Sequence, residues 1–484
     1  MTRMNIGVLS GGTARKDAIA AADPMVVEVL EIDYADPVEL FAVFAKDPQA
    51  VLLDSALVTE RGRHSFIAAL PFSVLTSKDG VVMLDGQRRA GNPFAVLRQE
   101  LARHPIRATR GLPPLQAGAV GYLGYEMVQH LERVPLVQAD EARFPDLALG
   151  FHDVIVAFDH RDRRAWILSS GLPETDPTRR WRRARTRIEE MAERLAVAPP
   201  LPDPPVPSMP PPLASNFTQS AYEDVVRRVV EYILAGDIFQ ANLSQRFQVP
   251  LPVGLSAFEL YRRLRQLNPA PFAAFLKCGE VEIASASPER FIRLADRQVE
   301  TCPIKGTRPR GGSPAEDREL AAALLASEKD RAENVMIVDL LRNDLSRVCR
   351  DGSVEVPRLC ALETFATVFH LVSTITGELR PGMTAVDLLE ACLPGGSITG
   401  APKIRAMEII AELEPTRRGP YCGSIGYIGF DGSMDSSIVI RTYAIKDGMV
   451  TFQVGGGIVA DSRPDDEYAE TMAKARALIA ALSP

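Results

Sequence analysis

The stretch SPERFIRLADRQVETCPIKGT, residues 287–307, decides how this chain folds around its most reactive side chains. Residues 291–294 and 298–301 predict two short strands, and the polar run 295–297 between them predicts a hairpin turn. The hairpin brings Glu289 and Lys305 roughly opposite each other, within a register slip of one or two residues. An acid and an amine that meet on one sheet couple their protonation. A surface salt bridge between neighbouring strands explains the same pattern equally well.

Lys305 stands beside a glycine and close to a proline. In PIKGT, Pro303 restricts the backbone on one side, and Gly306 lets the chain turn or approach a ligand on the other. Desolvation lowers the pKa of a lysine and makes its amine a nucleophile. An isolated Lys-Gly pair is nevertheless usually an ordinary surface turn, because charged residues mostly lie outside. The case for a reactive lysine therefore depends on its surroundings.

Two helices each carry a pair of acids three residues apart. Asp330 and Glu333 lie in 327–349, where the buried stripe of a helix is predicted, and Glu467 and Glu470 lie in the helical pattern 465–482. The spacing projects each pair from one helix face. A single pair of this kind is usually a solvated surface. Two pairs that converge would offer the hard oxygen ligands that Mg²⁺ prefers.

His370, in TVFHLVS, is set apart by the distribution of histidines. The other five all precede residue 161, so His370 is alone in the half that carries the acids and Lys305. Its ordinary pKa suits acid or base catalysis near neutral pH. Since apolar residues flank it, a buried strand histidine without a catalytic role is the alternative, and spacing alone favours that alternative.

Two glycine-rich turns complete the pattern. The segments 393–403 (LPGGSITGAPK) and 453–462 (QVGGGIVADS) expose backbone N–H groups that can hold anionic oxygens. Neither fits the phosphate-binding patterns GxxxxGK[ST] or GxGxxG, and LSGGTARKD near the start fits neither as well. A carboxylated small molecule suits these turns as well as a phosphate does.

Composition limits the class of protein. The 484 residues exceed one ordinary domain, and a net charge of −7 argues against nucleic acid as a partner. No run approaches the ~18 apolar residues of a membrane span, and the charged start does not resemble a signal peptide. Six cysteines, all after residue 277 and without CxxC spacing, suit a reducing compartment. We therefore expect a cytoplasmic protein with no membrane partner.

A proline-rich segment divides the sequence. Nine prolines between Pro199 and Pro212 predict that 197–216 is an extended, solvated connector. Before it, residues 1–196 contain strand-like pieces such as AVLLDSAL and DVIVAFDH with several helices. After it, residues 217–484 carry Lys305 and the acids.

The second half closely resembles the chorismate-utilising enzyme family. The resemblance covers nearly all of 217–484 and is carried by SPERF, PIKGT, DRAENVMIVDLLRNDLSRV, HLVSTITG, PGGSITGAPKIRAMEII, YCGSIGYIGFDGSMDSSIVIRT and GGGIVADS. It implies an α+β fold in which antiparallel sheets pack orthogonally, helices flank them, and both halves share one core. The lysine in PIKGT resembles the residue that the aminodeoxychorismate synthase branch has at this position, whereas anthranilate synthases typically have alanine there.

The same resemblance implies a role for each site residue. Lys305 would add to C2 of chorismate, Glu289 would protonate the departing C4 hydroxyl, and His370 would orient the ring. Glu333 and Glu470 would hold Mg²⁺, while Asp330 and Glu467 would orient those carboxylates and their waters. The substrate pocket would contain Arg441, Tyr421, Gly455, Gly456, Gly457, Lys474, Gly306, Thr307 and Ser397. For Lys474, a surface ion pair with Glu470 is the alternative.

Partners follow from what the sequence lacks and from its first half. No GxCxG-like nucleophile segment is present, so we expect a separate glutamine amidotransferase subunit to supply ammonia. VLLDSA (51–56) and GRHSFIAALPF (62–72) resemble segments that line the tryptophan pocket of anthranilate synthases, with Asp54 in place of the usual glutamate. Both segments also suit ordinary core strands, and that interpretation is favoured. Besides the aminodeoxychorismate synthase branch that Lys305 favours, three other functions are considered. They are an anthranilate synthase, an isochorismate synthase and a sensing subunit without turnover.

Overall fold

The computed structural model describes residues 26–137, 139–209, 212–364 and 368–484. The start of the chain, including LSGGTARKD, lies outside these residues. The helices are α1 Pro37–Phe41, α2 Pro93–Arg103, α3 Pro177–Ala196, α4 Gln219–Leu234, α5 Ala257–Leu267, α6 Pro314–Ala326, α7 Glu328–Ser346, α8 Ala385–Cys392, α9 Lys403–Leu413 and α10 Pro464–Ala481, with 3₁₀ turns at Tyr125–His130 and Gly396–Ile398. No helix in the described part of the chain has the length and apolar character needed to cross a membrane.

Twenty-four strands are found in the same residues, most of them short. They are β1 Glu28–Ile32, β2 Val51–Asp54, β3 His64–Ala68, β4 Ser73–Lys78, β5 Val81–Leu84, β6 Gln87–Arg89, β7 Gly118–Leu123, β8 Leu147–His152, β9 Val154–Asp159, β10 Arg164–Ser169, β11 Ala214–Ser215, β12 Gln240–Pro250, β13 Phe272–Cys278, β14 Val281–Ser287, β15 Arg290–Ala295, β16 Gln298–Thr301, β17 Ile304–Pro309, β18 Glu355–Thr364, β19 Val368–Glu378, β20 Gly400–Ala401, β21 Ser424–Gly429, β22 Met434–Ile438, β23 Thr442–Lys446 and β24 Met449–Ile458.

The strands form two antiparallel sheets of twelve strands each. The first sheet has the order β1-β10-β9-β3-β2-β13-β14-β23-β24-β12-β11, with β20 also paired to β12. The second has the order β17-β19-β16-β15-β22-β21-β7-β8-β4-β5-β6, with β18 also paired to β19. Strands such as β8 and β9 are buried along their whole length and contain no polar side chain before their last residue, because both faces of the sheet are covered. The predicted α+β class, with antiparallel sheets and flanking helices, is confirmed.

The two halves of the sequence share these sheets. Each sheet contains one block of strands from before the proline-rich segment and one block from after it, joined by the pairing of β2 with β13 in the first sheet and of β7 with β21 in the second. The largest apolar cluster also draws on both halves. The described part of 197–216 runs along the surface, where Arg262 and Arg263 of α5 donate to the carbonyls of Pro202 and Pro205. The proline-rich segment therefore divides the sequence but does not separate two cores.

The hairpin predicted at 287–307 is present. Strands β15 and β16 pair with Arg293 opposite Glu300 and Leu294 opposite Val299. The turn residues Asp296 and Arg297 both have positive φ, which a tight turn requires. After β16 the chain continues into β17, which pairs with β19 and carries Lys305.

A buried polar network ties the 3₁₀ turn Tyr125–His130 to the second half of the chain. Arg418 donates to both carboxylate oxygens of Glu414, at 2.7 and 2.9 Å, and its backbone N–H donates to Glu126. Burial raises the pKa of Glu126 to about 7, with the charge of Asp146 acting in the same direction. The carboxyl of Glu126 is therefore costly to ionise in the folded state.

We expect Glu126→Gln to change stability in a pH-dependent way. A group whose pKa is raised by folding contributes stability that is lost as pH rises from its ordinary value toward the folded value. The wild-type midpoint of thermal unfolding should therefore fall between about pH 4.5 and 7, while the variant, which resembles the protonated acid, avoids this loss. The variant's advantage should grow by at least about 2 °C across that range. Thermal scans at several pH values measure the difference in unfolding midpoint between Glu126→Gln and wild type, and the exposed Glu189→Gln is the control. A difference that stayed constant with pH would contradict the prediction.

Candidate active site

Strand β17 places Lys305 against the helix that carries the first acid pair. Lys305 lies opposite Leu371 of β19, and the register shifts between Lys305 and Thr307. Gly306, at the shift, has a φ of +72°, and a Cβ there would lie 3.0 Å from Asp330 side-chain atoms. Glycine is needed for both the backbone conformation and the close approach of α7.

The amine of Lys305 is half-buried among acids from three separate elements. Burial raises the pKa of Glu289 beside β15 and of Glu333 on α7, and the positive charge of Lys305 opposes that rise. The same charge adds to that of Lys474 in lowering the pKa of Glu470 on α10. Its Nζ also lies 3.5 Å from the point where Gly457 would carry a Cβ. The structure thus brings together Lys305, the acid predicted to lie opposite it and one acid from each predicted pair.

Glu289 is buried beside this amine. Its carboxylate accepts hydrogen bonds from the Ser397 side chain and from the backbone N–H of Ile304, which is the neighbour of Lys305. Burial nevertheless dominates and raises the pKa of Glu289 to about 7. A carboxyl with this pKa can still carry a proton at neutral pH and is suited to proton donation.

His370 lies next to the same site on β19. It is buried, and its Nδ1 is 2.9 Å from the Thr307 hydroxyl. Burial lowers the pKa of His370 to about 4, and the charge of Arg441 acts in the same direction. The imidazole is therefore neutral at physiological pH and can position a hydroxyl without carrying charge.

The four acids occupy different environments. Burial raises the pKa of Glu333 and of Glu467, whereas the charge of Lys474 holds the pKa of Glu470 below its ordinary value despite burial. Lys474 lies 2.7 Å from Glu470 and donates to the Gly455 carbonyl, so the surface ion pair considered for it is present. Asp330 pairs with Arg308 at 3.0 Å, and Glu467 accepts from Ser462 at 2.6 Å.

Glu333 and Glu470 are the residues of the site that could hold a magnesium ion. Within the described residues no group of three or more acids, histidines or cysteines is arranged to hold a metal ion. Glu333 and Glu470 do sense each other's charge, and their oxygens are the hard ligands that Mg²⁺ prefers. Because Mg²⁺ is often held by one or two carboxylates together with substrate and water, the pair fits this ion.

The pocket also contains an arginine suited to a carboxylate. Arg441 adopts a left-handed backbone conformation, φ 52°, and its charge is felt by Glu289 and His370. No hydrogen bond or ion pair joins its guanidinium to another residue that the structure describes, so its donor fork is free for a ligand. Tyr421 is buried, with the Arg418 guanidinium 5.8 Å from its ring centre.

The three glycines of β24 let neighbouring groups approach closely. A Cβ on Gly456 would lie 3.2 Å from Glu467 and 3.4 Å from Glu470, and one on Gly455 would overlap the Leu243 carbonyl of β12. A Cβ on Gly457 would lie 1.9 Å from the Gln240 side chain. Gln240 was not identified from the sequence; it is 1% exposed, and its Oε1 has no hydrogen-bond partner in the described residues. No motif or spacing marks it, because only the pairing of β12 with β24 brings it here.

A cavity between the sheets is lined by the segments that resemble a tryptophan pocket. Its walls include Asp54, Ser55, His64 and Phe66 together with residues of β13, β21 and β22. Both segments contain core strands, β2 and β3, and both also line this cavity, so the choice between a purely structural role and a tryptophan pocket stays a prediction. The Asp54 carboxylate is already engaged by Tyr261 and Arg265, each at 2.7 Å.

Comparison with known proteins places the chain in a family. Residues 54–480 match the family described as chorismate binding enzyme, and the chain belongs to it. Aminodeoxychorismate synthase component 1 of Escherichia coli is 42% identical over 438 residues, 89% of this chain and 93% of that protein. Anthranilate synthase component 1 of Thermus thermophilus is also 42% identical, over 463 residues, 93% of this chain and 96% of that protein.

A solved structure supports the same assignment. Anthranilate synthase component I of Streptococcus pneumoniae superposes with a TM-score of 0.77 at 33% identity, covering 87% of this chain and 93% of that one. The menaquinone-specific isochorismate synthase MenF of Escherichia coli, at 19% identity and a TM-score of 0.71 over 94% of each chain, shares the fold. The protein is a chorismate-utilising enzyme, and equal identity to two named synthases does not separate them.

Proposed function

We propose that this chain is the synthase component that transfers nitrogen from ammonia to C4 of chorismate, giving 4-amino-4-deoxychorismate. One observation carries the proposal: the Lys305 amine lies among Glu289, Glu333 and Glu470. A half-buried amine in that position can act as a nucleophile. The Escherichia coli relative named aminodeoxychorismate synthase component 1 is compatible with this proposal, and the equally similar anthranilate synthase component 1 of Thermus thermophilus names the main alternative.

The proposed reaction proceeds in two displacements. The Lys305 amine forms a bond to ring carbon C2, the ring double bonds shift, and the C4 hydroxyl leaves as water with a proton from Glu289. Ammonia then bonds to C4, the double bonds shift back, and the C2–N bond breaks to return the lysine amine. The new C4 ammonium gives a proton to the Glu289 carboxylate, which restores the acid for the next cycle. His370 would orient the ring near the departing hydroxyl, and Thr307 would hold the imidazole.

The pocket would recognise the negative charge of the substrate through hydrogen-bond donors. Arg441 would grip a substrate carboxylate with its two-pronged guanidinium, beside Tyr421 and Ser397. Glu333 and Glu470 would hold Mg²⁺, and the bound ion would supply positive charge and Lewis acidity beside a substrate carboxylate. We propose that Lys474, Gly306 and the amides of Gly455, Gly456 and Gly457 complete this end of the pocket.

We further propose that ammonia reaches the site from a separate glutamine amidotransferase and that the assembly works in the cytoplasm. Several relatives are named component 1 of their synthases, which supports a second component. A purified chain should then use ammonium salts alone, and adding a glutaminase subunit should allow glutamine to replace them.

One assay tests the proposal against its alternatives. The purified chain is incubated with chorismate, Mg²⁺ and an ammonium salt, and products are identified by mass and fluorescence. Aminodeoxychorismate, which an added lyase converts to 4-aminobenzoate, is the expected product. Fluorescent anthranilate or isochorismate would assign the chain to a sister activity, and untouched chorismate would contradict an enzymatic role.

Glu289→Gln should reduce turnover by on the order of 10²-fold, because the C4 hydroxyl loses its proton donor. Since burial raises the pKa of Glu289 to about 7, wild-type kcat should fall as pH rises above about 7 and the acid ionises. That falling limb should be absent from the variant's profile. A variant that kept both the wild-type rate and the limb would remove Glu289 from the mechanism. The exposed Glu189→Gln serves as control.

The cavity between the sheets is the proposed location for bound tryptophan. Its lining by β2 and β3 supports this, while the engaged Asp54 carboxylate argues against a direct contact of that acid with the ligand's amino group. Calorimetric titration with tryptophan should show binding that does not require chorismate, and the absence of heat would contradict the proposal.

A further inference from the structure

A buried hydrogen-bond network lies directly behind the candidate active site. The side chain of Asn334 is fully buried on α7, and its Nδ2 donates to the Leu371 carbonyl at 3.3 Å. Its Oδ1 accepts from the Ser373 hydroxyl and, at 3.6 Å, from the Cys360 thiol. The Ser373 hydroxyl in turn accepts from the Cys360 backbone N–H at 2.9 Å. Each group in this network acts as the donor or the acceptor that its chemistry allows. The Asn334 side-chain amide therefore joins α7 to β18 and β19.

The two ends of this network are residues next to the reacting groups. Leu371 is the cross-strand partner of Lys305, and the Ser373 backbone N–H donates to Pro303 two residues before Lys305. On the helix side, Asn334 directly follows Glu333. The Asn334 side chain therefore spans from the segment that carries the amine to the helix turn that carries the carboxylate.

We propose that Asn334, with Ser373, is a positioning residue that fixes the distance between the Glu333 carboxylate and the Lys305 amine. Helix α7 lies at the edge of the second sheet, and the half of it around Asp330 and Glu333 is largely exposed, so apolar packing there is limited. Buried polar groups must keep their partners, which gives the network one favoured arrangement. A small change in position between an amine and a metal-bearing acid is costly for catalysis. The inference rests on the proposed function only in assigning Lys305 and Glu333 to the reaction.

The test compares Asn334→Ala, Ser373→Ala and the double variant with wild type. Loss of a side chain that orients a metal ligand typically costs ~10- to 100-fold in metal affinity or activity. We expect Asn334→Ala to weaken Mg²⁺ binding at least about 10-fold in calorimetric titration and to lower kcat by a similar factor, with a smaller change in KM for chorismate. Ser373→Ala, which removes two of the network's hydrogen bonds where Asn334→Ala removes three, should show a smaller effect in the same direction. The double variant should resemble Asn334→Ala, because the two residues act as a unit.

Controls separate positioning from folding and from the identity of the product. Asn343→Ala changes an exposed asparagine on the same helix and should match wild type. Rates are expressed per folded molecule and are measured well below the unfolding midpoint. The rate measured is that of whichever chorismate product the wild type forms. Should Asn334→Ala fail to fold, Ser373→Ala alone decides. Wild-type Mg²⁺ affinity and kcat in the folded variants, or additive effects in the double variant, would overturn the proposal. A wild-type product other than aminodeoxychorismate would overturn the proposed function but not this inference.

Discussion

Lys305→Ala should eliminate aminodeoxychorismate formation, lowering its rate by about 10³-fold or more. Without the amine no bond can form at C2. The ring double bonds then do not shift, and the C4 hydroxyl is not expelled in the way that the proposed reaction requires. Chorismate and Mg²⁺ can still bind, because Arg441 and the acid pair remain. Any residual turnover should therefore be redirected to a nucleophile that attacks the ring directly, giving an anthranilate- or isochorismate-type product, which mass spectrometry distinguishes.

The fold should survive this change. Lys305 lies on β17 at the edge of the second sheet and is half-buried, so the midpoint of thermal unfolding should shift only slightly. Lys46→Ala, at an exposed position far from the site in sequence, is the matched control and should keep the wild-type rate. An unchanged product and rate in Lys305→Ala would remove this lysine from the chemistry.

Glu333→Gln should lower turnover by on the order of 10³-fold, because a neutral amide replaces one of two carboxylates proposed to hold Mg²⁺. The loss should appear as weaker metal binding, so Mg²⁺ titrations followed by calorimetry and by activity should shift together. Glu328→Gln, an exposed acid in the first turn of the same helix, is the control. Unchanged Mg²⁺ affinity in Glu333→Gln would exclude this acid as a ligand.

Local sequence patterns were sufficient for the elements that carry the site. The hairpin at 287–307 could be predicted because its strands and polar turn are contiguous. The helices bearing Asp330, Glu333, Glu467 and Glu470 could be predicted because a helical repeat is visible within a few turns. Their convergence on Lys305 could only be hypothesised, since three distant elements must meet for it.

Other site residues gave no signal that sequence reasoning could use. Gln240 enters the pocket through the pairing of β12 with β24, and Asn334 is one polar residue among many on a charged helix turn. The ion pair between Lys474 and Glu470 shows that spacing alone does not determine the role of a residue. Spacing allowed both an ion pair and a substrate contact, and the structure shows the ion pair while leaving the substrate role a prediction.

The amino-acid sequence by itself determined the hairpin, the helices, the acid pairs and the resemblance that points to chorismate, because these depend on residues close together along the chain. Only the tertiary structure decided that both halves share two sheets, that Glu289 is buried enough to hold its proton near neutral pH, and that Arg441 is left without an ion pair among the described residues. Burial and electrostatic neighbours arise from contacts between distant segments, so no local pattern specifies them.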